Sequence, residues 1–146
     1  MSIVNLYGQD ANGNLVPVRV DSVGALTAAA PTATPWNYAA AASGLVNTAV
    51  AVTIAAAGGA GLRSYINAIQ VSADALTVAT ELVIRDGANG TVLWRTKLGT
   101  AGLINGLSIS FPTALRSSPN TLLEVATLTA TVAGAVYFNA QGYVGA

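Results

Sequence analysis

The sequence predicts an all-β protein: a two-sheet antiparallel sandwich of jelly-roll type, preceded by an extended N-terminal β arm. Three observations predict it. Short apolar runs, eight in the body, are separated by turn residues, at the spacing of about 8–12 residues expected of sandwiches and barrels. Several runs alternate apolar and polar residues with a period of two, the mark of a strand with one buried face. No apolar stripe of helical period accompanies the abundant alanine, although "ATPWNYAAAASG" is a stretch that alanine content alone would allow to be helical.

The arm comes first. "DANGNLVPVRVDSVGAL" carries Asp-x-x-Gly-x-Leu twice, at Asp10–Leu15 and at Asp21–Leu26. Its opening resembles a calcium loop, but the sixth position, which needs Gly, is Leu15, and the twelfth is Asp21 rather than Glu. Two turns explain the segment better: Asn12-Gly13 is a strong turn dipeptide and Val23-Gly24 a weaker one. Between them Val16, Val18 and Val20 alternate with Pro17, Arg19 and Asp21, which reads as a strand. Pro17 has no N–H to give a ladder, so this strand belongs at an edge or in a detached arm. Two copies of the phrase are too few for a solenoid. "TAAAPTATP" follows, small and uncharged, as an extended linker. The expected division is an assembly arm over 1–26, a linker over 27–35 and a sandwich body over 36–146.

The body strands are expected at Trp36–Ala42, Thr48–Ala55, Tyr65–Ser72, Thr80–Arg85, Thr91–Leu98, Leu107–Phe111, Leu122–Thr127 and Ala135–Tyr143. Breaks fall at Ser43-Gly44, Gly58 to Gly61, Ala73-Asp74, Asp86 to Gly90, Gly102 with Asn105-Gly106, Ser118 to Asn120, and Gly134. Leu107, Ile109 and Phe111 against Ser108 and Ser110 give the clearest alternation, with Val50, Val52 and Ile54 next. One hairpin can be specified. A loop over Asp86–Gly90 sets Arg85 opposite Thr91, Val83 opposite Leu93 and Glu81 opposite Arg95, with Leu82, Ile84, Val92 and Trp94 in the core.

Composition removes whole classes of chemistry. The chain has 146 residues, enough for one domain with a core, and contains no Cys and no His. Disulfides, thiolate metal sites and every Ser-His arrangement are therefore absent. Charged residues are 8% of the chain and net charge is zero, against about 25% in an ordinary soluble domain. So little charge favours association over a free monomer. The most apolar run, Ala49 to Leu62, is mostly Ala and Gly and too weak for a spanning helix. "MSIVNLYGQD" has neither a basic n-region nor a cleavage site, so no signal peptide and no membrane association are expected.

A search for sites finds none that passes. Gly106-Leu107-Ser108-Ile109-Ser110 lacks the closing Gly of a nucleophile elbow, and Gly58-Gly59-Ala60-Gly61 lacks the Gly-Lys-Ser/Thr of a phosphate loop. The carboxylates Asp10, Asp21, Asp74, Glu81, Asp86 and Glu124 form no pair by spacing, and turn or ion-pair roles suit them better. Arg19, Arg63, Arg85, Arg95, Lys97 and Arg116 are scattered, without the aromatic interleaving of a nucleic-acid surface. No catalytic residue, cofactor or metal ligand is expected. The residues expected at protein interfaces are Val16, Val18, Val20 and Leu26 of the arm, with Trp36 and Tyr38 at the body's entry. Trp94 is expected in the core.

Six phrases taken together carry a resemblance: "VPVRVDSVGAL", "PWNYAAAASGLVNT", "AAAGGAGLRSYI", "TELVIRDG" with "TVLWR", "SSPNTLLEVA" and "YFNAQGYVG". They span nearly the whole chain, which resembles the jelly-roll head-decoration, or cement, proteins of tailed bacteriophages. None is a chemical motif; the ensemble carries the likeness. It implies a sandwich on the outside of an icosahedral capsid, made in the host cytoplasm and clamping major capsid protein subunits. It brings no catalytic residues. A homo-oligomer is expected, a dimer ahead of a trimer, with no nucleic-acid partner. Two rival readings stay open: a tail- or fibre-associated virion module, and a carbohydrate-binding sandwich using Trp36, Tyr38, Tyr65, Tyr137 or Tyr143. A fibre module would show a repetitive stalk or coiled coil, and neither is present.

Overall fold

The computed structural model describes residues 7–9, 15–17, 33–46, 51–129 and 133–146. The chain forms two units, Met1–Thr32 and Ala33–Ala146. In the first, β1 (Tyr7–Gln9) pairs antiparallel with β2 (Leu15–Pro17), setting Gly8 opposite Val16. Pro17 closes β2 in a two-stranded ladder, where each strand keeps a free edge that tolerates a missing N–H. The strand expected from Val16 onward thus pairs within its own chain. Val18, Val20 and Leu26 lie outside the described residues.

The second unit is a two-sheet antiparallel sandwich. Its strands are β3 (Thr34–Tyr38), β4 (Leu45–Val46), β5 (Val52–Ala55), β6 (Arg63–Ala73), β7 (Thr80–Asp86), β8 (Thr91–Leu98), β9 (Leu103–Arg116), β10 (Leu123–Thr127) and β11 (Ala135–Gly145). One sheet runs β5-β10-β7-β8; the other runs β3-β11-β6-β9, with β4 also on β11. Consecutive strands cross from sheet to sheet, except β3 to β4 and the β7–β8 hairpin. No helix occurs among the described residues. The "PWNY" stretch that alanine could have drawn into a helix is strand, and it begins at Thr34, inside the expected linker.

The core lies between the sheets. Ile66, Ile69, Val71, Val136 and Phe138 meet Ile54, Leu82, Ile84, Leu98, Leu123 and Val125 there. The predicted alternations hold where they are described. Leu107, Ile109 and Phe111 pack on the core while Ser108 and Ser110 are exposed; Ile54 is buried and Thr53 exposed. Burying such side chains stabilises by about 1.5–3 kcal/mol each, the main force holding the sheets together.

The β7–β8 hairpin departs from its expected register. Val83 faces Arg95, Ile84 faces Trp94 and Glu81 faces Lys97, with a shift between Ile84 and Arg85. A loop one residue shorter than expected and a bulge on β8 are the reasons, each contributing one residue. The bulge leaves Leu93 without a partner, so Leu93 and Trp94 pack on the core while Val92 stands opposite Arg85. Gly90 is required in the loop, because a Cβ there would meet the carbonyl of Asp86. Arg95 still reaches Glu81, at 3.4 Å, but diagonally rather than directly across.

β9 is far longer than the expected Leu107–Phe111, and two irregularities explain why its ends were hidden. The register against β6 shifts between Val71 and Ala73, where Gly106 takes a left-handed φ of 69°. It shifts again between Ile66 and Ala68, next to a stretch holding Pro112. Both are tolerated because β9 is an edge strand.

Candidate functional site

The outward face of the β3-β11-β6-β9 sheet is the candidate site. Alternation decides which side chains it presents, since Trp36, Tyr38, Phe138, Ala140, Ile69, Val71, Leu107 and Ile109 point to the core. Their neighbours therefore point out, and the register places them in rows. Asn37, Gln141, Ala68 and Ser110 make one row across the four strands. Asn139, Gln70 and Ser108 make the next. Tyr137 and Ser72 lie beyond it. On the other side Pro35, Tyr143, Tyr65 and Arg116 close the face. Tyr65 and Tyr143 stack with ring centroids 4.6 Å apart and planes 9° from parallel. The Tyr65 hydroxyl donates to the Ala146 carbonyl at 3.2 Å.

The face is grooved rather than flat. A depression of about 360 Å³ lies over Asn37, Gln70, Ser108, Ser110, Asn139 and Gln141. A second, of about 370 Å³, shares Gln70, Ser108 and Asn139 and continues toward Ile104 and Asn105. A third, of about 340 Å³, shares Asn37 and Gln141 and continues toward Pro35 and Asn67. The three form one trough. Its centre presents carboxamides and hydroxyls around Ala68, with Ile104 and Pro35 toward its margins; the charges on this sheet, Arg63 and Arg116, sit at the tyrosine end.

One of the amides is oriented. The Ala40 N–H donates to Asn139 Oδ1 at 3.0 Å. A backbone N–H needs an acceptor, so the oxygen is fixed on that side and the Nδ2 donors are left to the trough. The side chains of Asn37, Gln70, Gln141, Ser108 and Ser110 have no hydrogen-bond partner among the described residues.

The opposite sheet carries the remaining ion pairs. Glu124, 4% exposed, accepts from Arg85 Nη1 at 3.2 Å and from the Asn89 N–H at 2.7 Å. Arg85 Nη1 also donates to Asn89 Oδ1 at 2.9 Å, so the pair ties the β7–β8 loop to β10. Val83 has no exposed surface although it points away from the core with Arg85 and Glu81. Each described carboxylate has a structural partner: Asp74 accepts from the Ala135 N–H and Asp86 from the Ser118 N–H and hydroxyl, while Glu81 pairs with Arg95. No group of three metal-ligating side chains occurs among the described residues.

Of the residues expected at interfaces, Trp36 and Tyr38 are partly buried against the core, with Tyr38 6.4 Å from Phe138 between ring centroids. Trp36 Nε1 is buried without a partner among the described residues. Both rings face inward, and the outward aromatics are Tyr65, Tyr137 and Tyr143. The amide trough escaped sequence reasoning because each Asn, Gln or Ser looked like the ordinary polar half of an alternation. The available signal was that the outward halves of "AIQVSA", "LSISF" and "YFNAQGY" contain no charge. Comparison with family models, curated proteins and solved structures finds no match.

Proposed function

We propose that the chain is a structural virion protein that decorates the outside of an icosahedral phage capsid, clamping major capsid subunits as a homo-oligomer, a dimer ahead of a trimer. The resemblance of its phrases to cement proteins gives this reading its starting point. The strand order, with nearly every connection passing between sheets, supports assigning the sandwich to the jelly rolls.

The observation that carries the assembly reading is β9. It is a 14-residue edge strand with no charged residue before Arg116, and its Ile104 is 83% exposed. Its outer edge pairs with no described strand. Soluble monomers blunt such edges with charge, proline or short length, because an open ladder recruits other chains. Gly106 and Pro112 guard part of this edge, and the uncharged Leu107–Phe111 run between them fits a protein whose working state is an assembly.

The test is to add purified protein to capsid shells lacking it and to sediment the mixture. Saturable co-sedimentation at fixed stoichiometry, with shells that then withstand higher temperature, is the expected result. Shells that pellet without it at micromolar protein sink the proposal.

A further inference from the structure

We propose that the trough on the β3-β11-β6-β9 sheet binds a neutral oligosaccharide, whether or not the chain decorates a capsid. The trough is lined by hydrogen-bonding groups that carry no charge: carboxamides at Asn37, Gln70, Asn139 and Gln141, hydroxyls at Ser108 and Ser110. A carboxamide offers a donor and an acceptor side by side, the pattern that neighbouring sugar hydroxyls complement. Among the described residues an anionic ligand would find no cation there, since Arg63 and Arg116 lie outside the two central rows.

Geometry sets the size of ligand. Four strands at about 4.8 Å spacing give the Asn37-to-Ser110 row a width of roughly 14 Å. The trough also runs along the strands on both sides of that row, so a short chain of sugar rings fits it better than one ring. The face is also ready. Asn139 is held by the Ala40 N–H, and the long β6 and β11 strands beneath are paired over ten positions. Tyr137 stands on the same face beside Ser72, offering an apolar ring surface at one end.

A protein partner suits the trough less well. Protein interfaces have an apolar, aromatic-rich centre with polar groups at the rim. Here the centre is amide and hydroxyl, with aromatics at the ends. Burying it against protein would cost about 1–3 kcal/mol for each amide left unpaired. A ligand made of hydroxyls can satisfy them all, directly or through water.

The experiment titrates full-length protein with maltohexaose, cellohexaose and chitohexaose, following backbone amide resonances. The same protein is applied to an array of neutral and anionic glycans. Saturable shifts confined to β3, β6, β9 and β11 are expected with at least one neutral oligosaccharide. The variants Gln70→Ala and Gln141→Ala remove side chains without partners, so each should melt like the parent, and together they should weaken binding about tenfold or more. Lys97→Ala, on the other sheet, should change nothing. The proposal fails if no neutral glycan binds the folded protein. It fails equally if binding survives the double variant, or if only anionic glycans bind and salt abolishes it.

Discussion

At the scale of single residues, two side-chain facts decide stability more than surface chemistry does. Glu124 is nearly buried, and its Oε1 serves both Arg85 and the Asn89 N–H. Removing it takes one acceptor from an Arg85 side chain that is 15% exposed and still donates to Asn89 Oδ1, and takes the acceptor of a loop N–H. Glu124→Ala should therefore cost about 1.5–3 kcal/mol, the range for a hydrogen bond to a charged group. Urea denaturation measures it, and a loss below about 1 kcal/mol would show that the pair is solvated. Gly142 is the second. A Cβ there would strike the Tyr65 carbonyl and press within 2.8 Å of Trp36 Cζ2. Gly142→Ala should sharply lower the melting temperature, whereas Gly99→Ala, with nothing within 4 Å, should leave it unchanged. Equal melting of the two variants would contradict this packing. Neither fact was visible in sequence. Glu124 reads as the polar beat between Leu123 and Val125, and its partner is brought near only when β10 settles beside β7.

At the scale of elements, strands with clean alternation were legible and strands with bulges were not. Residues 107–111 and 52–54 show their inward and outward sides in sequence because every step of two lands on the same face. The β7–β8 hairpin is legible in place but not in register, since the shorter loop and the unpaired residue on β8 each shift the pairing by one. β9 was cut short in the reading because Gly106 and Pro112 look like strand breakers; on an edge they are bulge residues instead. β4, two residues long, leaves no pattern to read. The outer edge of β9 yields its own prediction. If it pairs with a second copy, Ile104→Lys should weaken self-association by about tenfold or more, since inward or edge charge is how natural sheets resist such pairing. Light scattering across a dilution series measures it. A parent protein that is monomeric at tens of micromolar rules the pairing out.

At the scale of the whole molecule, the two faces of the sandwich divide the labour of solubility. Among the described residues, Glu81, Arg85, Asp86, Arg95, Lys97 and Glu124 belong to the β5-β10-β7-β8 sheet, while the trough sheet keeps only Arg63 and Arg116. Sequence composition revealed the scarcity of charge, but only pairing reveals its one-sidedness. The division into Met1–Thr32 and Ala33–Ala146 carries a further prediction. Among the described residues the core begins at Trp36, so deleting residues 1–32 should leave a body that melts cooperatively within a few degrees of the parent. If capsid attachment uses the arm, that body should bind shells markedly more weakly. A truncated chain that fails to fold would make the first unit part of the sandwich.

The crossing connections also govern how quickly this protein reaches its native state. Within the sandwich only β7 and β8 pair by closing a short loop; every other described ladder there joins segments far apart in the chain. β11 is the extreme case, since it follows every strand it joins and lies between β3 and β6. The larger sheet cannot close until that segment has been synthesised and has found both neighbours. Chains dominated by such distant pairings fold in milliseconds to seconds rather than microseconds. During that interval the open edges of β3 and β6 face other nascent copies. High expression at elevated temperature should therefore lose protein to aggregates in the waiting period, while slower synthesis should recover it, with no change in the stability of the finished fold.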